Sequence, residues 1–304
     1  MVVHLTTHSA YSLLRGLALP SELARAAREQ NMPALGLTDC RTLTGAVEFV
    51  KACRAESVRP ILGLELDGPA GKINLLSTNM EGWSNLCRLS SHLALSDEGE
   101  QVVSSELLNR FRQGVLVLSD GGGEVEALRE IFSDHFYLAL RDPAQGIRLN
   151  SLALRLGAPM VAAWPVYYLH ADQVNLQRTV SSIRTLHPLS QLSTQEVAPS
   201  EAWFLPEAEI NRRFQHFPRA LELTEEVAER CQFDLPLGVP RMPTIDLPPG
   251  ATLTQELRKR AEAGAREIYG SITPQLQSRL DHEIEVIARM GFEPIFFIVE
   301  DLLN

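Results

Sequence analysis

An α/β barrel followed by a mainly helical segment is the architecture this sequence predicts, and two observations carry it. Over the first 170 residues, short apolar runs alternate with stretches of helical spacing, and seven such runs suggest a closed or nearly closed barrel of βα units rather than an open sheet. From about residue 172 the strand signal disappears and only helical spacing follows.

The apolar runs that read as buried strands are residues 2–5, 34–38, 60–66, 72–77, 114–119, 136–140 and 159–164. Between most of them lie helical segments. Ser21 is placed to cap a helix carrying Leu23, Ala26 and Ala27, and residues 45–55 put Val47, Val50 and Cys53 or Arg54 one turn apart. Residues 81–95, 105–111, 124–132 and 144–157 repeat the theme, and helices at 172–186, 207–214 and 219–231 follow without intervening strands. The stretch 235–250, with Pro236, Pro240, Pro243, Pro248 and Pro249, reads as a linker and a domain boundary. Two helices come next, 253–269 and 274–290, the second with a core-type stripe of Leu280, Ile284, Ile287 and Ala288. The last apolar run (Ile295, Phe296, Phe297, Ile298, Val299, Leu302, Leu303) reads as an amphipathic helix cut short, with no cap and nothing left to bury it.

Composition narrows the class. The 304 residues are 45% hydrophobic and 22% charged, an ordinary globular balance. No run approaches the length of a membrane span, and the opening residues lack a signal-peptide pattern. Cys40, Cys53, Cys87 and Cys231 form no C-x-x-C pair, which argues against a disulfide framework or zinc knuckle and fits a reducing cytoplasm. The net charge of −10 argues against tight binding to nucleic-acid phosphates.

In parallel barrels chemistry sits where strands end, here at residues 6–8, 38–40, 65, 119–123 and 164–167. His8, Asp39 and Glu65 follow three successive strands and form a plausible shell for Zn, Mn or Mg with a hydrolytic water. On spacing alone they fit hydrogen-bonded loop residues equally well. The other histidines occur singly and read as surface or satisfied residues. Gly121, Gly122 and Gly123 lack a following G-K-[ST] and read as a turn rather than a phosphate cradle. Arg258, Lys259, Arg260 and Arg266 lie among Glu256, Glu262 and Glu267, the pattern of a solvated helix face.

The segments HLTTHSAYSLLRG, MPALGLTDCRTLTGAVEFVKACR and RPILGLE resemble the opening of the PHP (polymerase and histidinol phosphatase) domain of bacterial DNA polymerase III alpha subunits. The likeness continues through LLSTNMEGWSNLCRLSS and FPRALELTEEVAERCQFDLPLG. It ends in IYGSITPQLQSRLDHEIEVIARMGFEPIFFIVEDLLN, which resembles that family's passage from PHP domain into palm. The match covers almost the whole chain in order and is weakest at 97–135 and 187–202. The resemblance implies a distorted (βα)7 PHP barrel over 1–235, a linker over 236–250, and the beginning of a palm, truncated, over 251–304.

The same resemblance implies a ligand set, much of which is missing. The first-loop H-x-H falls on Thr6 and His8, and the T-D-H on Thr38, Asp39 and Cys40. Glu65 is retained. The cysteine often found after the fifth strand falls on Gly121, the glutamate of the sixth strand on Ala139, and the late N-D-x-H on Trp164, Pro165, Val166 and Tyr167. The implied segment is therefore a degenerate PHP domain: no catalytic residues, no cofactor of its own, and only the vestigial positions His8, Asp39 and Glu65. The parent polymerase would use Mg, dNTPs and primed DNA, with a proofreading exonuclease subunit and other replicase subunits as partners. Two rival readings are a metal-dependent phosphoesterase or 3′–5′ exonuclease using the three remaining ligands, and a free-standing barrel hydrolase. The palm-like tail speaks against the second.

Overall fold

A computed structural model of the chain describes residues 2–96, 103–239 and 241–303; residues 97–102 of the weakly matching middle, Pro240 of the proline-rich stretch and Asn304 lie outside them. The chain divides into two compact units, Met1–Leu235 and Pro236–Asn304.

The first unit runs β1 (Thr6–Thr7), α1 (Pro20–Glu29), β2 (Ala34–Leu37), α2 (Ala46–Ala55), β3 (Arg59–Gly68), β4 (Gly71–Ser77), α3 (Met80–Leu95), α4 (Ser105–Arg110), β5 (Val115–Ser119), α5 (Val125–Phe132), β6 (Phe136–Leu140), α6 (Gly146–Leu156), β7 (Met160–Ala162) and β8 (Pro165–Val166). Three helices then follow: α7 (Val174–Thr185), α8 (Glu207–Arg213) and α9 (Pro218–Arg230). A six-stranded sheet has the order β2-β3-β4-β5-β6-β7, and β1 pairs separately with β8. The gap between the two is small. Gly36 N donates to His4 O at 2.8 Å and Thr38 N to Thr7 O at 2.8 Å, so β1 lies beside β2. β8 begins three residues after β7 ends. The sheet thus curls until β1 and β8 fill its open side.

The sequence reading implied parallel units throughout, and here the structure differs. β4 is antiparallel to both β3 and β5. The cause is local: β3 and β4 are joined by a tight reversal at Pro69 and Ala70, with Gly71 at φ +86°, which leaves no room for a crossover helix. The remaining strand pairs are parallel. Strands covered on both faces need apolar side chains at every position, which is why they appear as unbroken runs. All five residues of β5 are buried, as are all five of β6. Val3, Leu5, Ile61, Leu76, Leu118 and Val161 meet Leu223 and Val227 of α9 in one core cluster.

Helix ends correct two details. Ser21 is not the cap of α1; the Glu22 carboxylate accepts from Leu19 N at 2.8 Å and Pro20 takes the first helical position. In α2 the buried residues are Ala46, Phe49, Val50 and Cys53, while Val47 faces solvent. α3 starts at Asn79, whose Oδ1 accepts from Gly82 N at 2.9 Å. This turn abuts the loop entering β5 so closely that a Cβ on Gly82 would sit 1.8 Å from Gly114 O, and Gly114 itself has φ +67°. Gly82→Ala is therefore expected to lower unfolding free energy by about 1–3 kcal/mol, the range for an overpacked site. Urea denaturation of the two proteins checks this.

The second unit contains α10 (Leu253–Tyr269), α11 (Pro274–Met290) and α12 (Glu293–Leu303). Thr252 Oγ1 caps α10 by accepting from Gln255 N, Thr273 Oγ1 caps α11 by accepting from Leu276 N, and Gly291 at φ +67° ends α11. Ile284 is buried and Phe297 lies under the Arg260 guanidinium, 4.9 Å from ring centroid to Cζ. Among the described residues no helix is long and apolar enough to cross a membrane.

Candidate functional site

The sequence-selected residues meet at the rim where β1, β2, β3 and β8 end, but they do not act alike. Asp39 follows β2 and is buried, with both carboxylate oxygens engaged by the first loop. Oδ1 accepts from Ser9 N at 2.7 Å and Ser12 Oγ at 2.6 Å, and Oδ2 accepts from Ser9 Oγ at 2.7 Å. Ser12 Oγ also accepts from Cys40 N at 2.9 Å. Asp39 therefore ties the loop after β1 to the end of β2 and has little left to offer a ligand.

His8 is fully buried and its Nδ1 lies 3.2 Å from Val166 O. A carbonyl only accepts, so Nδ1 carries the hydrogen and Nε2 faces the cleft. Tyr167 stacks on the imidazole, with centroids 4.0 Å apart and planes 6° from parallel. Glu65 reaches the same point from β3, placing Oε2 3.1 Å from His8 Nε2. At that distance the two atoms lie within ion-pair range, and neither has another hydrogen-bonding partner among the described residues.

Sequence reasoning missed the groups that balance Glu65. Lys72 Nζ lies 3.0 Å from Oε1, and Arg141 Nη1 lies 3.8 Å from Oε2. The Tyr167 hydroxyl donates to Oε1 at 3.4 Å. Arg141 is itself fixed by Asp120 Oδ1 and Asn74 Oδ1, each at 2.5 Å. The arrangement follows from register. Glu65 faces Asn74 across the β3–β4 pair, and Asp67 faces Lys72. Arg141 follows directly after β6 and reaches back over β5 to β4. The only signal available in the sequence was that Arg141 and Lys72 flank strand termini.

These neighbours set the electrostatics. Burial alone would raise the Glu65 carboxyl, but His8, Lys72 and Arg141 outweigh it and hold Glu65 well below the usual carboxylate range. Burial would lower Lys72 and Arg141, but Glu65 with Asp67 on one side and Asp120 with Glu65 on the other keep both raised. Burial and the nearby Glu65 push the Tyr167 phenol well above 10, so it stays a neutral donor. Burial likewise raises the Cys40 thiol.

The other positions singled out in the sequence make structural contacts. Thr6 Oγ1 donates to Trp164 O at 2.9 Å, and Pro165 pairs with Thr6 in the β1–β8 ladder. Ala139 lies in the core cluster with Leu118 and Val161. The triple glycine packs against the β3–β4 turn: Gly122 N donates to Ala70 O at 3.0 Å, and a Cβ on Gly123 would fall 2.0 Å from Pro69 O. Among the described residues, no three His, Cys, Asp or Glu side chains are grouped so as to hold a metal ion.

Known proteins resemble this chain along nearly its whole length. Residues 4–147 match the family described as PHP domain, and residues 255–304 match that described as bacterial DNA polymerase III alpha NTPase domain. The DNA polymerase III subunit alpha of Halalkalibacterium halodurans is 30% identical over 99% of this chain and 29% of its own length. That of Pseudomonas fluorescens is 29% identical over 99% and 30%. The error-prone DNA polymerase of Mycobacterium bovis is 30% identical over 98% and 31%. The chain thus spans under a third of the length of these relatives. A solved amidohydrolase from Chromobacterium violaceum aligns over 53% of this chain and 86% of its own, at 15% identity and TM-score 0.38.

Proposed function

We propose that this chain, which belongs to the PHP-domain family of bacterial DNA polymerase III alpha subunits, serves as a non-hydrolytic N-terminal module of such a polymerase. In this reading the parent protein carries out Mg-dependent DNA synthesis on primed template. The residues from about 251 onward begin its palm, and the barrel is retained for packing and for docking a proofreading exonuclease and other replicase subunits.

The observation that carries it is the filling of the cleft. A divalent ion beside Glu65 would meet Lys72 and Arg141, two cations already held at 3.0 and 3.8 Å from its oxygens. Both oxygens of Asp39 are already engaged by Ser9 and Ser12. The residues present do not fit a hydrolytic metal centre, which needs several free donors around an open position. The paired surface of α10, with the net charge of −10, supports docking to protein rather than tight DNA binding by this segment. Arg258 pairs with Asp281, Lys259 with Glu256 at 3.6 Å, Arg260 with Glu256 and Glu300 at 2.9 and 2.8 Å, and Arg266 with Glu262 at 3.1 Å. A face whose cations are already matched gains little from phosphates.

One observation favours the rival phosphoesterase or exonuclease reading: His8 Nε2 and Glu65 Oε2 are buried without hydrogen-bonding partners. Elemental analysis of purified protein, with assays on single-stranded DNA and a chromogenic phosphate ester, separates the two. Substoichiometric Zn, Mn and Fe with no product release is expected, also after Cys40 and Tyr167 are both replaced by His. Stoichiometric metal, with hydrolysis abolished by His8→Ala, would overturn the proposal.

A further inference from the structure

Beside the filled cleft lies a cavity of about 590 Å³, lined by Arg15, Lys72, Tyr167, Arg184, Glu196 and Ala198 among others. Three of these side chains are cationic, and they come from separate parts of the fold: the loop after β1, the start of β4, and the last turn of α7. Lys72 is committed to Glu65 and Asp67, at 3.0 and 3.7 Å. The other two are not matched by carboxylates. Among the described residues Arg15 makes no side-chain hydrogen bond and no ion pair. Arg184 donates from Nη2 to Glu196 O, but its Nε is buried and unpartnered.

The acidic groups at the cavity are already in use. Glu196 turns its carboxylate to its own loop, where Oε1 lies 2.8 Å from His187 Nδ1 and Oε2 accepts from Ser193 N and Oγ, each at 2.8 Å. Asp67 serves Lys72, and Glu65 lies behind the Tyr167 hydroxyl. Two guanidinium groups therefore share one concave space with no carboxylate in ion-pair contact among the described residues, and burial together with the nearby Arg15 outweighs the more distant Glu196 and makes Arg184 easier to deprotonate than an ordinary arginine.

The cavity is also held in shape. Gln177 is buried, and its amide nitrogen donates to Arg15 O at 3.3 Å and to Ser181 Oγ at 3.0 Å. Its amide oxygen accepts from Ala198 N at 3.2 Å. One side chain thus fixes the loop bearing Arg15, the helix bearing Arg184 and the loop that forms the far wall. Unneutralised cations on a braced frame form the arrangement in which an oxyanion takes bidentate, charge-assisted hydrogen bonds.

We propose that the cavity between Arg15 and Arg184 is a metal-independent binding site for a phosphate-class oxyanion, either free phosphate or the phosphomonoester end of a nucleotide. The volume leaves room for an ester substituent beyond the phosphate group itself. The site goes beyond the scaffold role proposed above: it involves no bond breaking and uses none of His8, Asp39 or Glu65 as ligands.

The test is calorimetric titration of the chelator-treated full chain at constant ionic strength with inorganic phosphate, adenosine 5′-monophosphate and adenosine. Saturable binding of phosphate or of the monophosphate is expected, unaffected by EDTA and absent for adenosine. Tighter binding of the monophosphate identifies an ester end as the ligand; equal or weaker binding identifies the free anion. Arg15→Gln and Arg184→Gln should each weaken binding about tenfold or more, the effect of losing a charged hydrogen-bond donor, whereas Arg25→Gln on α1 should leave it unchanged. Without ligand, Arg15→Gln should be about as thermally stable as the parent, because it relieves repulsion with Arg184 and removes no hydrogen bond or ion pair given among the described residues. No saturable binding by either phosphate ligand, or equal binding by the parent and Arg15→Gln, overturns the proposal.

Discussion

Replacing Glu65 by Gln is expected to destabilise the barrel by about 3 kcal/mol or more, the range for removing one partner from a buried charge cluster. The carboxylate is about 1% exposed and faces Lys72, Arg141 and His8. Gln keeps the shape but leaves these groups facing a neutral amide. Arg141 retains Asp120 and Lys72 retains Asp67, so the loss stops short of unfolding the domain. Lys72→Met should cost less, because Lys72 is partly exposed and Glu65 keeps Arg141. The double variant should recover part of the sum, with a coupling energy of about 1–3 kcal/mol. Denaturant titrations of chelator-treated protein measure all four corners of the cycle. The sign is diagnostic. A carboxylate kept only as a metal ligand is relieved by neutralisation in the metal-free protein, so a neutral or stabilising Glu65→Gln would contradict the charge-cluster reading. Glu65 also sets an acid limit. Its depressed folded value means that its contribution is present above the ordinary carboxylate range and is lost as pH falls through the folded value. Gln at this position removes that dependence.

The cleft balances its buried Glu65 with Lys72 and Arg141, and such pairings show less plainly in a sequence than a metal-ligand pattern does. Metal ligands lie at strand ends in recognisable local patterns, so the positions of His8, Asp39 and Glu65 stood out. The cationic partners depend on strand neighbours. Lys72 meets Glu65 only because β3 and β4 form a hairpin in one register, and Arg141 reaches Asn74 only because β4, β5 and β6 are adjacent. The antiparallel β4 was missed for a related reason. An apolar run buried on both faces carries no direction, and only the short turn between Gly68 and Gly71 betrays the reversal. Where the determinant is local, the reading was close. α10 and α11 begin and end at the residues the periodicity indicated, because Thr252 and Thr273 cap them and Gly270 and Gly291 stop them. Ser21 shows the limit of such rules: it has the right residue type, yet Pro20 and Glu22 start the helix two positions earlier, with Leu19 in the cap position.

His4 should make the fold acid-sensitive well above the carboxylate range. It lies one strand-length before the cleft, 2% exposed, with Nε2 donating to Leu205 O at 3.0 Å and the ring edge-on to Phe204 at 4.6 Å. Its Nδ1 is buried without a partner, so a second proton there would find no acceptor. Burial, only partly offset by the Leu205 hydrogen bond, lowers the imidazole from 6.5 to about 4. The sign follows from linkage. Between those values the unfolded chain binds a proton that the folded chain refuses, so protons favour unfolding. The contribution is fully present above pH 6.5 and falls away as pH drops to about 4, a loss of about 3 kcal/mol across the window. His4→Gln keeps an N–H donor for Leu205 and does not titrate. Its unfolding free energy should therefore decline less than the parent's between pH 6.5 and pH 5, a window in which Glu65 has not begun to protonate in the folded state. Urea midpoints at half-unit pH intervals give the comparison. Parallel pH curves for the two proteins would show that His4 accepts its proton in the folded state as readily as in the unfolded one, and that the orphaned Nδ1 finds an acceptor when charged.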